Sequence, residues 1–507
     1  MAMKMRNSLY ALAFASVFAG CSTSVVSDDP EPVVPESKVN LSVRVKANVL
    51  TRAEENAISS LYLAFYKSGQ NPEFICLEKA AVSESGDKYT VELPVSPLNL
   101  PDMVVAFANI ADQEKMKNAL ASSPATIGEI VDGDNLAMST AVYFAGSGNS
   151  SQLVNYTRLS TADFNSETPV EITLERIAAK VTVKTATNLQ TSTPVVQTPS
   201  ENSKQLTLSI DSWGLTATDT ESFLIKQVKS SYSELETLLG NWDWNVASNS
   251  TLKWAESVNY SAFAADPEIS VATFSTVSND FAAAVYTHET TRSADDLKAV
   301  NSKPSIVITG HYTSGDGEMT TFYRLRSTGK DFIYTDAEFW QSFDGVQDLV
   351  YVKNESDELE KASADDFVLN TPSGITSDCF VTPQLGEENY ADDKYFNADG
   401  DAYTLEALNE ALYSRFKLLE KYDEGRCVFV IPIEHYKSDA STIYGVVRNH
   451  GYTLTLNSIS GFGRGVASSE SKITDEPDPV LSDSYTINAS LKIADWTEIS
   501  QDVNVSK

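Results

Sequence analysis

A mainly-β protein is what this sequence predicts, on three observations. Segments with period-two alternation recur along the body, clusters of Ser, Thr, Asn, Asp and Gly separate them, and helical patterns are few, so that only a few short helices are expected. Many short strands with regular turns favour antiparallel β-sandwiches over a parallel βαβ fold. In order, the strands are expected at residues 60–65, 89–93, 104–108, 171–183, 205–210, 305–308, 427–433 and 452–456. The helix is expected from about residue 404 to 422, where Leu405, Leu408, Leu412, Phe416 and Leu419 fall on one face that would pack on a sheet. No fixed-period repeat is present, which leaves solenoids and propellers without support.

At 507 residues the chain favours two or three packed units. Its 70 acidic and 38 basic side chains give a net charge of -32, a sign that opposes docking on nucleic-acid phosphates or anionic headgroups. No nucleic-acid partner is expected. A hydrophobic content of 42% with 10% aromatics separates the chain from the disordered class. Four cysteines, Cys21, Cys76, Cys379 and Cys427, neither form a CxxC pair nor suffice to staple so long a chain.

The amino terminus reads as an address and an anchor. Basic residues up to Arg6 precede an apolar run from Leu9 to Phe18, and Ala19-Gly20-Cys21 follows. An apolar run of about ten residues is too short to span a bilayer, which takes roughly 20, so residues 1–20 are read as an export signal. Small residues before a cysteine resemble a bacterial lipobox, with Cys21 as the lipidated (palmitoylated) residue, although Phe18 stands where leucine is usual. The other reading is an ordinary signal peptide cut near Ala19-Gly20. Residues 22–38, with Pro30, Pro32 and Pro35 among acidic side chains, read as a tether. Leu41, Val43, Val45, Ala47 and Val49 then alternate with polar neighbours, the pattern of a half-buried strand, before an exposed polar loop begins at Arg52-Ala53.

Motifs for catalysis are absent: there is no HExxH, GxSxG elbow or P-loop, and His288, His311, His435 and His450 are scattered and read as structural. No enzyme activity and no cofactor are expected. One weak calcium candidate exists, because Asn397, Asp399, Gly400 and Glu406 match alternate positions of a calcium loop, but Tyr395 occupies the place of the first acidic ligand. The preferred reading is a solvated acidic turn leading into the helix, with no metal.

Several segments together resemble a known family. These are Asn135-Leu-Ala-Met-Ser-Thr140, Leu174-Glu-Arg-Ile-Ala-Ala-Lys-Val-Thr-Val183, Trp213-Gly-Leu-Thr-Ala-Thr, the block from Tyr444-Gly-Val-Val-Arg-Asn-His-Gly-Tyr452 to Gly461, and Leu491-Lys-Ile-Ala-Asp-Trp496. In order and type they resemble the major fimbrillins of Bacteroidales, particularly the Mfa-type subunit of short (minor) fimbriae. The resemblance implies two tandem transthyretin-like β-sandwich domains, delivery to the outer membrane as a lipoprotein, and maturation by an Arg-specific protease. The matching cleavage site is Arg52-Ala53. It also implies a homopolymer with accessory anchor and tip subunits, and adhesion to host or bacterial surfaces with biofilm formation and virulence.

The domains are accordingly expected at 1–20 (signal), 21–52 (propeptide with a removable strand), 53–166 (first sandwich), 167–496 (second sandwich) and 497–507 (a candidate donor strand). In the last of these, Ile499, Gln501, Val503 and Val505 alternate along one face, which suits insertion into a groove vacated by Leu41 to Val49. Head-to-tail insertion is heterologous and non-closing, so it builds a filament. The tail could instead complete its own sheet. A second function class also stays open, a monomeric surface lipoprotein or a fimbrial tip or accessory adhesin binding a glycan or host protein. Cleavage after Arg52 removes six basic and four acidic side chains, leaving 32 against 66 and a net charge of -34.

Overall fold

The structure is a computed structural model and describes residues 39–495 with interruptions, the longest at 236–253, 271–282 and 474–485. It is mainly β, with three α-helices among the described residues. A nine-stranded sheet dominates the amino-terminal unit. Its strands are β1 (Val39–Ala47), β2 (Leu61–Lys67), β3 (Glu73–Lys79), β4 (Ala81–Val82), β5 (Tyr89–Leu93), β6 (Met103–Ala108), β7 (Met138–Thr140), β8 (Thr157–Arg158) and β9 (Val170–Arg176). The order is β3-β2-β6-β7-β9-β1-β5-β4, with β8 on β6.

Alternation decides what each face of this sheet buries. On β2, Leu61, Leu63 and Phe65 point into one core with Val104, Ala106 and Ala108 of β6, Ile172 and Leu174 of β9, and Val39, Leu41 and Val43 of β1. Tyr62, Ala64 and Tyr66 point the other way, into a second core with Met103, Val105 and Phe107 of β6. The near-continuous apolar run Met103-Val-Val-Ala-Phe-Ala108 is what a strand covered on both faces requires. Helix α1 (Gln113–Ala121) contributes Met116 and Leu120 to that second core, and Ile177, Ala178, Leu224 and Ile225 complete it from the rest of the chain.

The carboxy-terminal unit is a sandwich of two four-stranded sheets. One holds β10 (Ala179–Ser192), β12 (Ala284–Thr287), β20 (His450–Ser460) and β22 (Thr486–Asp495), in the order β12-β10-β20-β22. The other holds β11 (Thr207–Thr216), β13 (Ser305–Thr313), β19 (Arg426–Pro432) and β21 (Arg464–Gly465), in that order. Val181 and Val183, Tyr452, Leu454 and Leu456, Ile306 and Ile308, Phe429 and the fully buried Trp213 meet between them.

Between β13 and β19 the chain makes an insertion with its own core. It contains β14 (Phe322–Ser327), β15 (Lys330–Tyr334), α2 (Asp336–Phe343), β16 (Phe367–Asn370), β17 (Phe380–Leu385), α3 (Leu405–Phe416) and β18 (Leu419–Tyr422). Thr404 accepts from the Ala407 amide at 3.2 Å and starts α3, and Leu408 and Leu412 are its buried stripe. The Leu385 amide donates to Asn409 Oδ1 at 2.9 Å, which seats the helix on β17, and Phe416 stacks on Phe343 of α2.

Three expectations change. The helix stops at Phe416, because Leu419 to Tyr422 pair with β14 and β17 as a strand, although Leu419 continues the helical spacing. The stretch 171–183 is two strands in two sheets, broken at Ile177-Ala178. Val170–Arg176 belongs to the nine-stranded sheet and Ala179–Ser192 to a four-stranded one. The sheets are also mixed, since β1 pairs parallel with β9 and β10 parallel with β20; such pairs need long crossovers, and Arg44 and Glu171 on β1 and β9 are 127 residues apart.

Candidate assembly groove

Strand β1 lies inside the first sheet. It runs antiparallel to β5, with Val39, Leu41 and Val43 opposite Leu93, Val91 and Tyr89, and parallel to β9, with Val43, Val45 and Ala47 beside Val170, Ile172 and Leu174. Leu41 and Val43 are fully buried, Val39 nearly so, and Val45 is half-buried at the margin of the same core. A corner at Phe164-Asn165 pins the start of the strand. The Asn165 amide donates to Asn40 O at 2.7 Å and Asn165 Oδ1 accepts from the Asn40 amide at 3.0 Å. Asn165 does this from a left-handed backbone (φ 56°), which asparagine tolerates better than most residues. Outside, Arg44 donates to Glu171 at 3.1 Å in an exposed pair that contributes little.

Removal of this strand would bare two sheet edges at once, β5 and β9, with an apolar channel between them about 10 Å wide, twice the strand spacing. The core that Leu41 and Val43 share with Leu61, Leu63, Phe65, Val104, Ala106 and Phe164 would be its floor. Neither the floor nor the corner at Phe164-Asn165 was legible as part of a site. The alternation of residues 104–108 marks a strand, but nothing in it names the strand that covers it.

Of the other expected site residues, Cys21, Val49, Arg52, Ala53, Ile499, Gln501, Val503 and Val505 lie outside the described residues. Ala47 belongs to β1 and pairs with Leu174. Asn397 Oδ1 accepts from the Asp399 and Asp401 amides, both at 2.9 Å, so it closes a turn. Glu406 sits in the first turn of α3, where the helix dipole favours an acid. Among the described residues no group of three or more His, Cys, Asp or Glu is placed to share a metal ion. Cys76, Cys379 and Cys427 are free, and burial pushes the first two thiols up to about 12.

The junction between the units is built from two of the sequence motifs. The Asn449 amide donates to Ala178 O at 2.8 Å and Asn449 Oδ1 accepts from the Arg176 amide at 3.2 Å, so the Arg176-Ile-Ala-Ala179 and Arg448-Asn-His450 segments clasp each other where β9 becomes β10. Around them lie buried ion pairs that sequence reasoning missed: Arg448 with Glu289 at 2.9 Å, Arg292 with Asp219 at 2.6 Å, and Lys226 with Glu175 at 2.9 Å. The partners are far apart in sequence, 159 residues for Arg448 and Glu289. His435 and His450 come together beside Tyr452; His435 Nδ1 and the Tyr452 hydroxyl are 2.8 Å apart, and that hydroxyl also accepts from the Val447 amide. These contacts hold a joint and present no reactive group to solvent.

Residues 420–502, from β18 through β22 and beyond, match the family of major fimbrial subunit protein type IV, fimbrillin, in its carboxy-terminal domain. The likeness to that family is confined to this carboxy-terminal stretch. No curated protein matches the chain. Among solved structures, it is similar to a candidate cell adhesion protein from Parabacteroides distasonis at 12% identity, over 90% of this chain and 98% of that one, with a TM-score of 0.35. A second from the same species (12% identity, 92% and 99% coverage, TM-score 0.34) and one from Bacteroides eggerthii (11%, 91% and 96%, TM-score 0.34) are similar to a like degree.

Proposed function

We propose that this chain is a fimbrillin, a structural subunit of a surface fimbria, exported as a lipoprotein precursor anchored through Cys21 at the outer membrane, cleaved after Arg52 by an Arg-specific protease, and polymerised by donor-strand exchange. The observation that carries the reading is the place of β1: a strand near the amino terminus fills the middle of a sheet, with Val39, Leu41 and Val43 in its core. Cleavage at Arg52 cuts the chain between β1 and β2, so the strand can leave while the rest of the sheet stays connected. The vacated channel offers unpaired amides and carbonyls on both walls and an apolar floor, which together favour a replacement strand. Ile499, Gln501, Val503 and Val505 of another subunit supply one, and burying three such apolar side chains contributes roughly 5 kcal/mol before ordering is counted. The units so named are 1–20 signal, 21–52 propeptide and 497–507 donor. The fibre then serves adhesion and biofilm formation, with anchor and tip subunits at its ends.

Arg52→Ala tests the order of events. The variant should accumulate on the cell as a longer chain and form no polymer; normal polymer from it would overturn the reading.

A further inference from the structure

We propose that the insertion between β13 and β19 carries a binding site for an acidic sugar, a ring whose carboxylate is flanked by hydroxyls. The site is a cavity of about 620 Å³ between the hairpin of Tyr351–Lys353 and Leu359–Lys361, the turn that leads into β16, and the turn at 391–394. It shares no residue with the groove of β1 and does not depend on strand exchange.

The distribution of charge singles it out. From Tyr351 to Phe416 the chain carries fifteen acidic side chains and four basic ones, Lys353, Lys361, Lys394 and Arg415. All but Arg415 line this one cavity. A solvated acidic face gains most from its few cations when they are spread among the carboxylates, because screening limits the reach of each to about 10 Å. Gathered at one concavity, they instead make a local site for an anion within a region whose overall field repels polyanions.

The walls are tied together by the fold. Tyr351 and Phe396 exchange backbone hydrogen bonds at 2.9 and 2.8 Å, joining the hairpin to the chain after the turn, and Asn389 Nδ2 donates to Asp366 O at 3.0 Å on the other side. Aromatic rings steer two of the cations. Lys353 Nζ stands 5.1 Å from the centre of the Phe396 ring, and Lys394 Nζ 4.7 Å from that of Tyr395. Each also has a carboxylate beside it, Asp357 at 2.9 Å from Lys353 and Asp366 at 3.9 Å from Lys394. Such pairs contribute little at exposed lysines, so a ligand carboxylate can compete for them at small cost.

The rest of the lining selects among anions. Glu360, Asp366, Asp392 and Asp393 surround the lysines with groups that only accept, which suits the O–H donors of a sugar and penalises a second negative charge. Asp392 already receives one hydroxyl, from Tyr390 at 3.2 Å. The volume lies within the range of about 300 to 1,000 Å³ usual for small-molecule sites, and the exposed rim leaves the rest of a glycan chain free to continue into solvent.

Binding by the full-length, uncleaved chain tests this apart from assembly. By calorimetry or ligand-observed NMR, methyl glucuronide or methyl sialoside should bind with a Kd of order 1 mM, and methyl glucoside, which lacks the carboxylate, at least about tenfold more weakly. Lys361→Gln and Lys394→Gln should each weaken the acidic sugar about tenfold, whereas Glu355→Gln, outside the cavity, should bind it as the wild type does. All three variants should keep the wild-type melting temperature, since the changes are at exposed side chains. The proposal is overturned if neither acidic sugar binds more tightly than methyl glucoside, if neither lysine variant weakens binding, or if glycylglycine, which carries an ammonium as well as a carboxylate, outbinds both sugars.

Discussion

The strands at the two ends of the described chain, β1 and β22, sit in their sheets in opposite ways. β1 has a neighbour on each side and sends side chains into a core, whereas β22 pairs with β20 alone among the described residues, at the edge of its sheet. An edge strand can be lost or gained with the rest of its sheet intact. A central strand divides its sheet when it leaves, and the division is what creates a site with two walls. The loss of β1 would therefore open a site with two walls, and the loss of β22 would not.

If that contrast is right, changes near β22 should affect precursor and cleaved subunit alike, and changes on β1 should matter only before cleavage. The largest effect is expected at the junction. Arg448→Ala leaves Glu289 charged and buried, and should cost about 3 to 5 kcal/mol in both forms by urea unfolding. Leu41→Ala should cost about 3 kcal/mol in the precursor and nothing in the cleaved subunit, while Leu454→Ala, in the core beside β22, should cost a similar amount in both. A Leu41→Ala penalty that persisted after cleavage would show that β1 does not leave. Asn165→Gly keeps the left-handed backbone and loses the bond to the Asn40 amide, for about 1 kcal/mol in the precursor.

A titration provides a smaller effect on the persistent side of the comparison. Burial lowers the His288 pKa from its ordinary 6.5, against opposing contributions from a hydrogen bond with the Gly128 backbone and the charge of Asp219, so the folded state prefers the neutral ring. Its contribution is full above about pH 6.5 and is lost as pH falls through the lower folded value, because the unfolded chain takes up the proton first. Stability against pH should therefore fall less steeply below 6.5 in His288→Gln, before and after cleavage alike. Arg44→Ala should be the smallest change, under about 0.5 kcal/mol and confined to the precursor, since both partners of its ion pair are exposed.

Much of the fold could be read from alternation alone. The strand at 89–93 and the half-buried strand through Leu41 to Ala47 stand where period two puts them, because each has one face on a core. Leu419 misled because a residue at helical spacing is also an acceptable strand residue, and only pairing with β14 and β17 decides between them. The break at Ile177-Ala178 was hidden for a related reason: both residues are apolar and buried, so the pattern continues while the chain changes sheets. The groove was half legible. Its occupant announced itself by alternation, but its walls and floor come from strands distant in sequence, and no local pattern records which of them will be neighbours. The ion pairs of the junction escaped for the same reason.

The parallel pairing of β10 with β20 has a consequence for how the chain folds. Strands that close over such long stretches of sequence form late and slowly, since loop closure has to precede the contacts that reward it. β10 emerges early in synthesis, yet its partner begins at His450 and the strand beyond that ends at Asp495. Until those residues are available the second sandwich has half a sheet and an uncovered core. The first sheet, by contrast, has all its strands by Arg176, so the two units differ in how much of the chain each must wait for.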